Sequence, residues 1–341
     1  MKKIKFLILA VLGTALASGA KAGIIEVESG GDIKAALRKA SEADTVLLKA
    51  GEYTLPSQIE QTKDIVLMGE SGKMPVVNFT NFVLGTGADK LVLEGLHIIY
   101  NRKYLVYNAS EKDVEIDLIA IRNCIVNLNG ENGASLILNR STGAKNRIGR
   151  IEIDNSIVYN GQAPSHGVVN VGKESTAQVG SIRLTNSTFA DFVRGVIIVS
   201  ARMDDLKIGV DACTFYNVNT SENSAGVFHA NLGNTEIEIT RSIFCIPGAS
   251  PKFIDAGAGG IVNVTDSPRR PTTRWTDARV TVSSTGRYPA KSSAIRAGNK
   301  RFSPASGKEH GGTACPVHPQ QVSSYGIGTA RNYGVISVYF V

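Results

Sequence analysis

The sequence predicts an all-β chain wound as a parallel β-helix, a solenoid of about seven or eight coils with a capping helix at its amino-terminal end. Three observations predict it. An eight-residue phrase recurs, as "LVLEGLHI" from Leu91, "IAIRNCIV" from Ile119, "IEIDNSIV" from Ile151, "IRLTNSTF" from Ile182, "IGVDACTF" from Ile208 and "IEITRSIF" from Ile237. Within each phrase apolar and polar residues alternate. A second apolar run follows, as "YLVYN" from Tyr104, "SLILN" from Ser135, "GVVNV" from Gly167, "GVIIV" from Gly195 and "GVFHA" from Gly226.

Leu93, Ile121, Ile153, Leu184, Val210 and Ile239 hold equivalent places, at steps of 28, 32, 31, 26 and 29 residues. A period in that range marks stacked supersecondary units. Alternation decides between helix and strand: Ile151, Ile153 and Val158 point one way, Glu152 and Asp154 the other, and β-branched residues dominate. Two short strands with turns and a variable loop then make one coil, hydrogen-bonded to the next about 4.8 Å away. Propeller blades would need about 40 residues per unit and antiparallel hairpins.

Stacked coils place equivalent residues in columns. Leu96, Cys124, Ser156, Ser187, Cys213 and Ser242 form a mostly small column, as a narrow interior requires. Asn123, Asn155 and Asn186 stand at strand ends, where their amides can bond to each other and to the turn backbone. Gly95, Ala212 and Arg241 take that place in other coils. The phrase is scaffold, repeated because every coil must meet its neighbour. Cys124 and Cys213 share a column three coils apart, about 14 Å, too far for a disulfide. They read as buried small residues, and Cys245 and Cys315 stay unassigned. No C-x-x-C or H-x-x-x-H spacing marks a metal cluster, and no metal ligand is assigned.

The stretch "GGDIKAALRKASEADTVLLKAGEYTL" fits the amino-terminal cap: Asp32 caps a helix whose Ile33, Ala36, Leu37 and Ala40 make one apolar stripe. The strand "TVLLKA" then enters the first coil, Gly51 turns the chain, and "DIVLMG" and "VVNFTNFVL" continue it.

Both ends differ from this body. Residues 1–22 read as a secretory leader, with basic Lys2, Lys3 and Lys5, an apolar run from Phe6 to Ala17, and Ala20-Lys21-Ala22 before the expected cut. That run is too short to span a bilayer, so the mature chain is expected to start at Gly23, secreted or periplasmic. Residues 23–266 form the β-helix. Residues 267–341 lose the phrase and hold six of the eleven prolines, a composition that buries little apolar surface and favours disorder. This tail reads as a flexible basic tether, a loosely ordered cap, or an out-of-frame continuation of the β-helix. The net charge of +7 divides into +4 in the leader, −6 in the body and +9 in the tail. An acidic body argues against a nucleic-acid partner.

The run "IKAALRKASEADTVLLKAGEYTL", then "DIVLMGESG", then the serial Asn-Ser/Cys-x-Phe phrases resemble the pectate-lyase superfamily of right-handed parallel β-helices. More narrowly they resemble secreted bacterial domains of that superfamily encoded with polysaccharide-degradation systems. The resemblance covers roughly residues 23–266. It implies a carbohydrate ligand along the outer face of the coils, on a scaffold that carries lyases, hydrolases, epimerases and binding proteins alike.

Three chemistries known on such scaffolds make different demands on the chain. Hydrolysis by paired carboxylates finds only Asp204-Asp205, without the surrounding motif. A calcium-dependent pectate lyase needs clustered Asp, but Asp154 and Asp211 stand two coils apart with Thr185 between, about 9–10 Å, too far to share an ion. The third is the chondroitinase B and alginate lyase group, whose Lys-bearing coil "VVNVGKESTAQVGSIRLTNSTF" loosely resembles and whose Arg-bearing coil "VIIVSARMDDLKIGVDACTF" loosely resembles. That resemblance implies Lys173 as base and Arg202 as its partner, with Arg140 and His229 on the flanking coils. As residue types, Tyr100, Tyr104, Tyr107 and Tyr159 offer rings for sugar stacking, with Tyr159 taken as substrate-binding. Lys173 and Arg202 are 29 residues apart. Calcium is the one cofactor the group implies, but "GQAPSHG" stands where its acidic ligands would precede the Lys. Two functions stay open: a lyase cleaving an acidic, uronate-bearing polysaccharide by β-elimination, and a non-catalytic glycan-binding or surface-interaction β-helix.

Overall fold

A computed structural model of the chain describes residues 22–267, apart from 43, 101–102, 109–112, 131–134, 141–144, 163–164, 174–175, 222–225, 247–252 and 258, together with the backbone of 279–283. Its strands lie in three sheets, of eleven, eight and eight strands, and every described pairing between neighbouring coils is parallel. The parallel β-helix expected from the sequence is observed, with eight complete coils and seven steps between first and last.

Each coil has three strands, not two. The recurrent phrase conceals one of them because it runs around a corner: in "IEIDNSIV" the first-sheet strand Asn146–Asp154 ends, Asn155 and Ser156 turn, and the second-sheet strand Ile157–Gly161 begins. The corner residue is left-handed in every such coil, with φ of 66° at Gly95, 52° at Asn123, 45° at Asn155, 50° at Asn186, 52° at Ala212 and 47° at Arg241. Asn tolerates that conformation because its amide bonds locally. Here the amides form part of a ladder, Asn155 Nδ2 donating to Asn123 Oδ1 at 2.7 Å and Asn123 Nδ2 to Glu94 Oε1 at 3.2 Å.

The small column has a more specific cause than narrowness. At the corner, a coil's backbone N–H finds its acceptor in a side chain of the next coil: Cys124 N–H donates to Ser156 Oγ, Ser156 N–H to Ser187 Oγ and Cys213 N–H to Ser242 Oγ, each at 3.1 Å. Each hydroxyl donates in turn to the carbonyl two residues before it, at 2.8 Å for Ser156, 2.7 Å for Ser187 and 2.8 Å for Ser242. Serine therefore pairs groups that would otherwise be buried and unsatisfied. Cys124 and Cys213 are buried free thiols, and burial pushes both up to about 12. Cys245, on the second-sheet strand Ile243–Cys245, is disulfide-bonded.

Inside the coils, Phe189, Phe215 and Phe244 stack in one column at 5.3 and 4.6 Å between ring centres, with Phe228 edge-on to Phe215. The amino-terminal cap forms as expected: Asp32 accepts the Ala35 N–H at 2.9 Å, and the helix Ile33–Lys39 buries Ile33 and Leu37.

The expected leader lies outside the described residues except for Ala22, and the expected tail except for Ser267 and 279–283. Ser267 continues the serine column, accepting the Ser242 N–H at 3.0 Å. Strand Arg279–Ser283 pairs in parallel with Ile261–Thr265, so the first sheet runs on past residue 266. Among the described residues no helix is long and apolar enough to cross a membrane.

Candidate functional site

The third sheet carries the strands Tyr104–Asn108, Ser135–Asn139, Val169–Val171, Ile197–Val199, Phe228–Ala230 and Ile254–Asp255. Val106, Ile137, Val169, Ile197, Phe228 and Ile254 stand in register in the core. One residue further, alternation turns Tyr107, Leu138, Asn170, Ile198, His229 and Asp255 away from the core, yet Leu138, Asn170, Ile198 and Asp255 are buried and only Tyr107 and His229 are partly accessible. Arg140 follows the strand ending at Asn139. Its Cγ is 3.1 Å from where a Gly172 Cβ would stand, so its side chain lies over the next coil, close against Gly172.

At the entrance to these strands Tyr104 and Tyr107 stack at 5.2 Å and an interplanar angle of 15°, and the His166 ring lies 5.8 Å from that of Tyr104. Burial lowers the pKa of His166, and the positive charges of Lys103, Arg140 and Arg194 lower it further. The imidazole is therefore neutral at pH 7, with its Nδ1 2.7 Å from Ser165 Oγ. Burial raises the Tyr104 phenol, an effect that Arg140 opposes. The result is a neutral imidazole on an aromatic ledge among cations. Guanidinium groups hold carboxylates through paired hydrogen bonds, and tyrosine faces accept the C–H side of a ring.

The residues singled out in the sequence fall in different places. Arg140, Lys173, Arg202 and His229 all belong to third-sheet strands or the turns leaving them. Lys173 is exposed beyond Gly172. The residue level with it on the next coil is Ala201, so Arg202 is displaced by one position, and it pairs with Asp204 at 3.2 Å. His229 Nδ1 lies 3.0 Å from Asp255 Oδ2, to which Asn231 Nδ2 also donates at 3.3 Å. Tyr159 stands apart, on the second-sheet strand Ile157–Gly161, half-buried, and burial raises its phenol pKa. Tyr100, another ring considered for sugar stacking, is fully buried in the core.

Lys103 and Arg194 were not singled out in the sequence, although a signal was present. The residues immediately before the five second apolar runs are Lys103, Ala134, His166, Arg194 and Ala225. Aligning those runs would have put Lys103, His166 and Arg194 in one column.

Two outward carboxylates of the first sheet, Asp154 and Asp211, are already engaged. Asp154 accepts from Thr185 Oγ1 and from Asn186 Nδ2 at 3.3 Å. Asp211 accepts from Thr240 Oγ1 at 2.5 Å and Arg241 Nε at 2.8 Å, and the Arg241 bond holds its carboxyl below the usual range. Among the described residues no three His, Cys, Asp or Glu side chains converge as a metal site. These residues do not fit the calcium cage that the resemblance implies.

No family model matches the chain, and no curated protein matches it. Among solved structures it is similar to a variant of the family PL6 alginate lyase AlyGC, at 16% identity and a TM-score of 0.48. The match covers 77% of this chain and 39% of that one, so the chain spans well under half the length of that enzyme. The likeness is one of fold.

Proposed function

We propose that the protein is a secreted, carbohydrate-active β-helix that binds an acidic glycan along the outer face of its third sheet. One observation carries the reading: the His166 ring lies beside the Tyr104–Tyr107 stack and feels the positive charges of Lys103, Arg140 and Arg194, on a body whose net charge is −6. Cations concentrated against the overall charge suit a ligand with regularly spaced carboxylates. Tyrosine faces suit sugar rings, which favours a uronate polysaccharide over a peptide or nucleic acid. The expected leader and the disulfide at Cys245 support an oxidising compartment outside the cytoplasm.

A second reading makes the same surface a lyase. It is favoured by the exposed side chain of Lys173 on the coil next to Arg140. Lys173 would take the proton alpha to a uronate carboxylate held by Arg140. The electron pair would form the ring double bond, and the glycosidic oxygen would leave. Arg202 would stabilise the charge that develops on the carboxylate.

The test passes the mature chain over immobilised uronate and neutral polysaccharides, then incubates it with the same glycans while the absorbance of an unsaturated product is followed. Retention on uronate matrices that Arg140→Ala abolishes is the expected result. Product that disappears in Lys173→Ala would extend it to elimination. Retention on neutral glycans alone, or on none, overturns the proposal.

A further inference from the structure

The elimination that Lys173 would start leaves one proton without a carrier. When the bond from C4 to the glycosidic oxygen breaks, that oxygen must be protonated, and the guanidinium groups of Arg140 and Arg202 do not give up protons in proteins. His229 stands two coils beyond Lys173, in the third-sheet column that alternation turns away from the core. Its Nδ1 lies 3.0 Å from Asp255 Oδ2 on the following coil, and Asn231 Nδ2 donates to the same oxygen at 3.3 Å. The imidazole and the carboxylate are only 12% and 10% exposed. No described residue bonds His229 Nε2, and that atom keeps contact with solvent. Packing does not demand this pair, since Leu138 and Ile198 fill the same column on earlier coils. A covered carboxylate and imidazole carry a desolvation cost that two apolar side chains would not.

We infer that His229, held by Asp255, is the general acid of this surface and delivers the proton that a leaving glycosidic oxygen requires. This role rests on the elimination reading and fills the step that reading leaves open. A protonated imidazole carries hydrogen on both nitrogens. Asp255 accepts the Nδ1 hydrogen and stabilises the cation, which turns the Nε2 hydrogen away from the carboxylate and toward the accessible side. Asp255 and Asn231 are positioning residues. On the coil between Lys173 and His229 stand Ser200 and Ala201, small side chains that leave room for the sugar whose bond breaks. Lys173 Nζ takes the proton on C5, the C–H electron pair becomes the C4–C5 double bond, and the C4–O bond breaks. The Nε2 proton passes to that oxygen, which departs as a hydroxyl. Lys173 then releases its proton to water and His229 regains one, so protons balance and no redox partner is needed.

The test follows the absorbance of unsaturated product from alginate and polygalacturonate, and from the corresponding uronides carrying fluorine at C4, whose fluoride leaves without a proton. His229→Ala should slow the polysaccharide reaction about 100-fold or more, while retention on uronate matrices persists and fluoride is still expelled. His229→Gln fills the same space but delivers no proton. It should behave alike, and it serves where His229→Ala does not fold. Asp255→Asn should lower kcat on the polysaccharide with KM little changed, and fluoride expulsion should be spared. Equal losses on both kinds of substrate, or full polysaccharide turnover in His229→Gln, overturn the general acid and leave glycan binding standing. A natural chain that is retained but forms product from neither substrate overturns elimination and acid together. Loss of retention itself removes the glycan reading on which both rest.

Discussion

The corner between the first and second sheets and the outer face of the third are built on the same coils, yet one repeats and the other varies. At the corner nearly every coil supplies a left-handed residue and then a small one, because each coil's backbone N–H needs the next coil's hydroxyl. Along the third sheet the outer column reads Tyr107, Leu138, Asn170, Ile198, His229 and Asp255, with no two alike. The difference teaches where to look in a solenoid. Positions constrained by stacking converge on one residue type, and positions free of that constraint are the ones a ligand can shape.

Mutations that damage one region and spare the other test this division. The largest effect is expected in the interior behind both: Phe215→Ala removes the middle of a three-ring stack and should cost about 3–5 kcal/mol in denaturant unfolding. At the corner, Ser187→Ala leaves the buried Ser156 N–H without its acceptor, which should cost about 1–3 kcal/mol. Asn155→Val forces a β-branched residue into a left-handed conformation, at about 1–2 kcal/mol, whereas Asn155→Gly should be milder. All three should leave glycan retention unchanged while the protein is folded. On the third sheet the pattern should reverse, with Arg140→Ala altering stability by no more than about 0.5 kcal/mol and abolishing retention on uronate matrices.

The smallest effect is a pH dependence. Burial and three cations hold the folded pKa of His166 below its unfolded value, which is near 6.5. The stability that neutral His166 contributes is therefore fully present above about pH 6.5. It is lost as the pH falls from there through the lowered folded value. A bound carboxylate neutralises the neighbouring cations and raises that pKa, so binding takes up a proton and retention should strengthen as the pH drops below neutrality. His166→Gln should flatten the retention profile and remove this part of the acid destabilisation. A profile unchanged in His166→Gln would separate the imidazole from the binding face.

Much of the scaffold was legible in the sequence, because stacking imposes the same demand at a fixed period. Coil spacing, alternation, the Asn column and the Asp32 cap could be read directly from residues such as Asn155 and Ile153. The third strand of each coil was not, since a left-handed turn at one residue leaves the apolar alternation almost unbroken and two strands read as one phrase. The site was legible only in part. Arg140 and His229 stood out as residue types, but the charges that act together on His166, those of Lys103, Arg140 and Arg194, come from residues up to 91 positions apart. The sequence by itself determined that the chain would coil, because backbone pairing between equivalent strands needs only the repeat. Tertiary structure alone decided which cations share an electrostatic environment, because that depends on how far each side chain leans across its neighbouring coil.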